Sequence, residues 1–406
     1  MKILVVNAGS SSIKYELFEM HANKSLARGL AEKIGEQGGI LTHEKLLSNG
    51  ESIKKIEQGL ISDHHSGLKR IVELLTDPEH GVIRDKSDIS GVGHRVVHGG
   101  EKFQSTALID ETVLAAIKEN IPLAPLHNPY NLMGIEIAGS IFPDSPQVAV
   151  FDTAFHQTIP MKAFLYAIPF DMYEKHKIRR YGFHGTSHAY VAERAAEYLG
   201  RPFSEVNLIT IHLGNGASIA AIKRGKCVDT SMGMTPLAGL VMGTRSGDVD
   251  PALHFFLADS QGMSLDEIKV LLNKESGLKG LCGSNDMREV IEKRNAGDAS
   301  AEIALEIYIY RIKKYIGAYF AALRSLDCLV FTGGIGENAP FIRESCCSGL
   351  NKMGIKIDPD KNTEIQDGMR EINSPGSKVK ALVIPTNEAW KIAQETKIVI
   401  ESEPGA

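Results

Sequence analysis

The stretch Lys2-Ile3-Leu4-Val5-Val6-Asn7-Ala8-Gly9-Ser10-Ser11-Ser12-Ile13-Lys14-Tyr15-Glu16-Leu17 decides the fold. A largely β-branched run ends at Asn7, small residues follow, and apolar positions then alternate at Ile13, Tyr15 and Leu17. This pattern reads as strand, tight turn, strand. Half the chain later the pattern returns: Leu208-Ile209-Thr210-Ile211-His212-Leu213, then Gly214-Asn215-Gly216-Ala217-Ser218, then alternation at Ile219 and Ala221. A hairpin repeated at that spacing predicts two related α/β halves.

Further along, Ile303, Ile307, Ile312, Ile316, Phe320 and Leu323 recur close to helical spacing, predicting a long helix over 301–326 with these residues on its apolar face. It runs into a strand, Cys328-Leu329-Val330-Phe331, and a glycine turn, Thr332-Gly333-Gly334-Ile335-Gly336-Glu337-Asn338, that opens another helix. A second strand over 381–384 ends at Pro385-Thr386-Asn387-Glu388, with a terminal helix beyond. Residues 366–380 read as a polar loop. Trp390, Tyr308, Tyr310, Tyr315 and Tyr319 read as core and helix surface, and Leu126-His127-Asn128-Pro129 as a buried loop.

Composition narrows the function. A chain of 406 residues has room for two or three domains, and 45 Lys+Arg against 50 Asp+Glu leave a net charge of −5. That balance excludes a broad electrostatic footprint for nucleic acid, so an anionic substrate needs positive charge concentrated locally. The five cysteines show no CxxC or framework spacing and are expected to be reduced thiols, without disulfides or a zinc ribbon. No apolar run approaches the length of a membrane span, so no membrane partner and a cytoplasmic location are expected.

Small-residue turns after strands expose backbone N–H groups and let a phosphate approach, because no Cβ stands in the way. Three occur: Asn7 to Lys14, with hydroxyls at Ser10 and Ser12; Gly214 to Ser218; and Gly333 to Asn338. Each alone is equally an ordinary tight turn. Together they favour a polyphosphate ligand, although Walker A and GxGxxG are both absent.

A second signal is charge set among glycine or apolar residues. It appears in Gly93-His94-Arg95-Val96-Val97-His98-Gly99-Gly100, Val150-Phe151-Asp152-Thr153, Gly182-Phe183-His184-Gly185 and Met242-Gly243-Thr244-Arg245-Ser246-Gly247. Arg95 and Arg245 either bond loop carbonyls or recognise carboxylate and phosphate through paired hydrogen bonds. His184 and His188 have i, i+4 spacing, but no third zinc ligand follows, and Gly185-Thr186-Ser187 looks like a helix start with a hydroxyl cap. A single His184 meeting a phosphoryl oxygen fits better. Asp152 and Glu388 each follow an apolar run and are expected at strand ends, where α/β proteins bind ligands; their alternative is a capping or solvated carboxylate.

Taken in order, these strings, with Ala124-Pro125-Leu126-His127-Asn128-Pro129 and Val150-Phe151-Asp152-Thr153-Ala154-Phe155-His156-Gln157, resemble the acetate kinase family of short-chain acyl kinases. That family is part of the acetate and sugar kinase, Hsp70 and actin superfamily, and the resemblance covers essentially the whole chain. It implies an α/β fold of duplicated ribonuclease H-like (actin/Hsp70-type) domains with an active-site cleft between them. The N-terminal domain would span 1–150, with a C-terminal helix 386–406 packing back on it; 151–385 would bind nucleotide and form a homodimer.

The resemblance also implies roles. Arg95 would bind the acetate carboxylate in a pocket walled by Val97, Leu126, Phe183 and Pro236. His127, His184 and Arg245 would contact the transferring phosphoryl group, with Asp152 beside them. Lys14, Ser10 and Ser12 would approach the nucleotide phosphates, and His212, Leu213, Gly214, Asn215 and Gly216 would form a second phosphate loop. Asp286, Met287, Arg288, Gly334, Ile335, Gly336, Glu337 and Asn338 would hold the adenosine portion. Asn7 and Glu388 would organise Mg2+, for which Mn2+ could substitute. The partners would be acetate, acetyl phosphate and ATP/ADP. Gly280-Leu281-Cys282-Gly283-Ser284-Asn285-Asp286 departs from the family's usual form near the adenine, and Ala389 stands where a second acidic residue is common.

The implied reaction is reversible, in-line transfer of the ATP γ-phosphoryl group to acetate. A carboxylate of ordinary pKa near ~4 is already ionised at neutral pH, so the acceptor needs no general base. Asp152 is therefore expected to orient Mg2+, water or Arg95. Rival readings are a propionate or other short-chain acyl kinase and, from a different class, a non-enzymatic actin/Hsp70-like nucleotide switch, for which no spare partner-binding domain is visible.

Overall fold

Both expected hairpins form, each as the start of a mixed sheet. In a computed structural model of the chain, the described residues are 1–402 without Ser48, Ile365 and Asp367. Positions 403–406 of the expected terminal helix, and Asp367 of the expected loop, lie outside them. The chain divides into two compact units, Met1–Ala154 with Asn387–Ala406, and Phe155–Thr386.

In the first unit, β1 (Lys2–Ala8) pairs antiparallel with β2 (Ser12–Glu19), and β3 (Lys24–Glu32), β4 (Gly39–Leu46) and β5 (Ser52–Gly59) continue outward. On its other side β1 runs parallel to β6 (Gly91–Val96), which is parallel to β8 (Gln147–Phe151), with β7 (Ala107–Leu108) at the edge. Successive β1 side chains enter opposite cores. Leu4 and Val6 pack with Leu68, Ile71 and Leu74 of the helix His64–Leu75, while Ile3 and Val5 pack with Ile392 and Ala393 of the helix Glu388–Ser402. Burial of both faces explains why this strand is continuously apolar rather than alternating. The C-terminal helix lies so close that a Cβ on Gly91 would come 2.3 Å from Ile400 Cδ1, and one on Gly93 would come 2.3 Å from Thr396 Oγ1.

In the second unit, β9 (Asn207–Leu213) pairs antiparallel with β10 (Ala217–Lys223), and β10 with β11 (Lys226–Thr230). On its other side β9 is parallel to β12 (Cys328–Thr332) and β12 to β14 (Lys380–Val383), with β13 (Arg370–Glu371) last. The strand order β11-β10-β9-β12-β14 repeats the β3-β2-β1-β6-β8 of the first unit, with the same directions for the central pairs. This is the duplicated α/β plan of the actin/Hsp70 fold.

Three expectations need correction. The long helix spans Ala299–Leu323, and its buried face is Ala301, Ala304, Leu305, Tyr308, Ile312, Ile316, Tyr319 and Leu323; Ile303 and Ile307 are exposed. Small alanines turned inward leave room for tyrosine rings, which outweighs the isoleucine periodicity. The polar segment 366–380 contributes the short edge strand β13. Leu126 is 53% exposed rather than buried, and Asn128 opens the helix Asn128–Ile141. Among the described residues no helix is long and apolar enough to cross a membrane.

Candidate active site

In the first unit three elements deliver charge to one point. Strand β6 carries Arg95, Asp152 follows β8, and Glu388 begins the C-terminal helix. Arg95 Nη2 donates to Asp152 Oδ2, and Arg95 Nε lies 3.7 Å from a Glu388 carboxylate oxygen. That Nε is buried and has no hydrogen-bond partner among the described residues. Burial pulls the Arg95 guanidinium pKa down, but Asp152 and Glu388 outweigh it and hold the pKa above its usual value. Burial raises the Glu388 pKa, and Asp152 adds to the effect against Arg95 and Lys14. Glu388 therefore does not sit at a strand end as expected: it opens a helix five residues beyond the last strand of the other unit and belongs with the first.

The hairpin register sets Asn7 directly opposite Lys14, and both line a pocket of about 50 Å³ together with Arg95 and Glu388. Asn7 and Glu388 supply hard oxygen donors. Among the described residues no three His, Cys, Asp or Glu side chains form a metal cage. Mg2+ ordinarily keeps waters and takes one or two carboxylates plus substrate phosphates, so this sparse set, with a carboxylate made uncomfortable by burial, fits an ion that shares its coordination with a nucleotide.

Two residues that sequence reasoning passed over hold this corner. Asn128 Oδ1 accepts from the His98 N–H at 3.2 Å and its Nδ2 donates to the His98 carbonyl at 3.0 Å. Asn131 Oδ1 accepts from the Val97 N–H at 3.0 Å and its Nδ2 donates to the Ala8 carbonyl at 2.9 Å. Asn131 thus ties the segment after Arg95 to the end of β1, and Asn128 clamps the next residue, His98, through both its backbone groups. The Asn-Pro helix start was the available signal. Val97 is buried, and His127 immediately precedes the same helix. Ser10 stands in the β1–β2 turn and Ser12 opens β2; the Gly9 N–H closes the turn on the Ser12 carbonyl at 2.8 Å.

In the second unit, His184 is held in the left-handed region at φ 57° just before the helix Gly185–Tyr198, and no side chain caps that helix. The expected hydroxyl cap is absent because His184 itself holds the N-cap position, while Ser187, inside the first turn, has its Oγ 2.8 Å from His212 Nδ1 and 2.8 Å from Thr386 Oγ1. The His184 and His212 rings stack with centroids 4.4 Å apart. A Cβ on Gly216 would lie 3.4 Å from His184 Nε2 and 3.7 Å from Arg245 Nη1, so this glycine turn meets both side chains. Arg245 Nη1 donates to the Pro236 carbonyl at 2.9 Å, and burial lowers its pKa. Phe183 is buried beside His184.

A larger pocket of about 740 Å³ brings together Gly214, Asn215, Asp286, Met287, Arg288, Gly334, Ile335 and Asn338 from the sequence reading. It adds Asn285, Ile291, Ala339, Pro340 and Phe341. His212, Leu213, Gly216, Gly336 and Glu337 do not line it. Glu337 Oε1 instead accepts from the Gly333 N–H at 2.9 Å and the Thr386 N–H at 3.2 Å. Ser218, expected in the displayed turn, is fully buried in β10.

Two α/β units on one strand plan, one with an arginine between carboxylates and the other with glycine turns beside a nucleoside-sized pocket, define a phosphotransferase. The acetokinase family model matches residues 2–394. The acetate kinase of Thermotoga maritima is 56% identical over 404 residues, covering 99% of each chain. That of Nitratidesulfovibrio vulgaris is 52% identical over 402 residues, covering 99% of this chain and 100% of the relative. The crystal structure of Porphyromonas gingivalis acetate kinase matches with a TM-score of 0.92 at 47% identity, and that of a propionate kinase from Francisella tularensis with 0.90 at 45%; each match covers 98% of this chain and 99% of the other. The chain belongs to the acetokinase family and is a phosphotransferase with a carboxyl group as acceptor.

Proposed function

We infer that the chain catalyses reversible transfer of the ATP γ-phosphoryl group to acetate, giving acetyl phosphate and ADP by direct in-line attack. The observation that carries the acceptor assignment is Arg95, whose buried Nε lacks a hydrogen-bond partner among the described residues while Asp152 occupies Nη2. A guanidinium with a spare desolvated donor suits a small carboxylate, with Val97 proposed as part of its apolar wall. Because acetate is already ionised, Asp152 acts by fixing Arg95 rather than by taking a proton.

The nucleoside occupies the pocket lined by Asp286, Ile335 and Phe341, which leads the phosphates toward the Gly214–Gly216 turn. His184 and Arg245 there offer donors to the equatorial oxygens of the moving phosphoryl group, where charge spreads in the transition state. His127, Leu126, Phe183, Pro236, Lys14, Ser10 and Ser12 complete the proposed contacts. Asn7 and Glu388 hold the Mg2+ that, when bound, neutralises charge on the nucleotide phosphates.

A homodimer is supported by the apolar residues that the second unit leaves exposed, including Phe255, Phe256, Ile303, Ile307 and Tyr310. Five buried free cysteines suit a reducing cytoplasm.

The test is an ATP, Mg2+ and acetate assay with hydroxylamine trapping of the acyl phosphate, repeated with propionate and butyrate. Acetate should lead propionate in kcat/KM by about 10-fold or more, the worth of one methylene in an apolar pocket. Equal or better turnover of propionate would favour the reading its Francisella neighbour suggests.

A further inference from the structure

We propose that Ser218 and His188 are positioning residues that fix the plane and tautomer of His184, holding its proton on Nε2. The inference rests on the reading of His184 as a donor to the phosphoryl group and adds what makes it one. His184 Nδ1 lies 2.9 Å from Ser218 Oγ, the same Oγ lies 2.8 Å from His188 Nε2, and His188 Nδ1 lies 2.7 Å from Thr210 Oγ1. Four side chains from three elements thus stand in one row. The helix Gly185–Tyr198 sets His188 one turn beyond His184, β10 supplies Ser218 and β9 supplies Thr210. Ser218, His188 and Thr210 are fully buried, so water cannot substitute for any link.

Each link carries one proton, so the row has two polarities. In one, Thr210 O–H donates to His188 Nδ1, His188 Nε2–H donates to Ser218 Oγ, and Ser218 O–H donates to His184 Nδ1. The His184 proton then sits on Nε2, on the ring edge that meets Gly216 and Arg245. In the other, Nε2 would present a lone pair there, and an anion accepting from Arg245 would face that lone pair instead of a second donor. Anion binding selects the first polarity. Protonation of His184 reverses the donors along the row without moving a heavy atom, so Nε2 remains an N–H in either charge state. Desolvation keeps His188 neutral, with its pKa well below the ordinary value, while His156 and His212 add repulsion. A neutral His188 can donate on one side and accept on the other, as the row requires.

The test is histidine 15N NMR on the full chain, free and with saturating inorganic phosphate, paired with kinetics. The wild type should show neutral His184 protonated on Nε2. Ser218→Ala should convert this to a mixture of tautomers and lower kcat about 10-fold, as loss of an orienting partner does for metal-bound histidines, with KM for acetate and ATP nearly unchanged. Ser218→Thr, which keeps the hydroxyl, should restore both. An Nδ1-protonated His184 in the wild type, or Ser218→Ala with unaltered tautomer and kcat, overturns the proposal. The NMR result decides it even for an enzyme that turned out not to phosphorylate acetate.

Discussion

Arg95 and Asp152 show how much one buried pair carries. Their side chains are 18% and 1% exposed, and the Asp152 carboxylate helps hold the Arg95 guanidinium above its usual pKa against the pull of burial. Replacing Asp152 with Asn leaves a guanidinium in a desolvated corner, and breaking such a pair costs about 3 kcal/mol or more. Asp152→Asn should therefore lower the unfolding free energy by that order in equilibrium denaturation at pH 7 and also depress kcat. Full activity at saturating Mg2+ would contradict the role given to Asp152. Neighbouring His94 tells a different story. It is buried against Gln147 Oε1 at 2.7 Å, and burial lowers its pKa from 6.5 to about 4. Between those values the unfolded chain binds the extra proton. Its contribution is thus complete above pH 6.5 and is lost as the pH falls toward 4, by about 3 kcal/mol in all. His94→Asn should flatten the acid limb of a stability-versus-pH curve, and an unchanged slope would show that the ring is hydrated in solution.

Among the elements, the six-residue helix Gly333–Asn338 at the nucleoside pocket is too short to hold itself. Its support is Arg343, which is buried and donates from Nη1 to the carbonyls of Gly336 and Glu337 at 3.0 and 2.9 Å, and from Nε and Nη2 to Asn362 at 2.8 and 2.6 Å. Burial lowers its pKa to about 10, still charged at neutral pH. Arg343→Lys offers no planar fork and should raise the KM for ATP several-fold while leaving that for acetate in place, as initial-rate kinetics would reveal. The glycine turn was legible in the sequence, but the arginine that anchors it was not. Ten residues separate Arg343 from the turn's first glycine, and nothing in the local pattern distinguishes it from a surface cation.

On the scale of the whole molecule, the apolar residues exposed on the helices Ala252–Gln261 and Ala299–Leu323 are numerous for a monomer surface. Sedimentation should return twice the chain mass of 44.2 kDa. Phe256→Glu with Ile307→Glu should shift the species toward one chain, whereas a wild type already at 44.2 kDa would remove the dimer.

What the sequence determined by itself was whatever neighbours along the chain enforce: the two hairpins, the glycine turns, the strands with their apolar runs, and the duplication they spell out. Backbone hydrogen bonding and side-chain alternation act over a few residues, so they can be read there. Tertiary structure alone decided that Glu388 leaves the second unit for the first, that Ser218 turns inward to the histidines, and that Ile303 and Ile307 face outward while tyrosines fill the core. Each of those outcomes depends on which distant surface a residue meets. The energy of that meeting, burial of area or pairing of charge, belongs to no single stretch of chain.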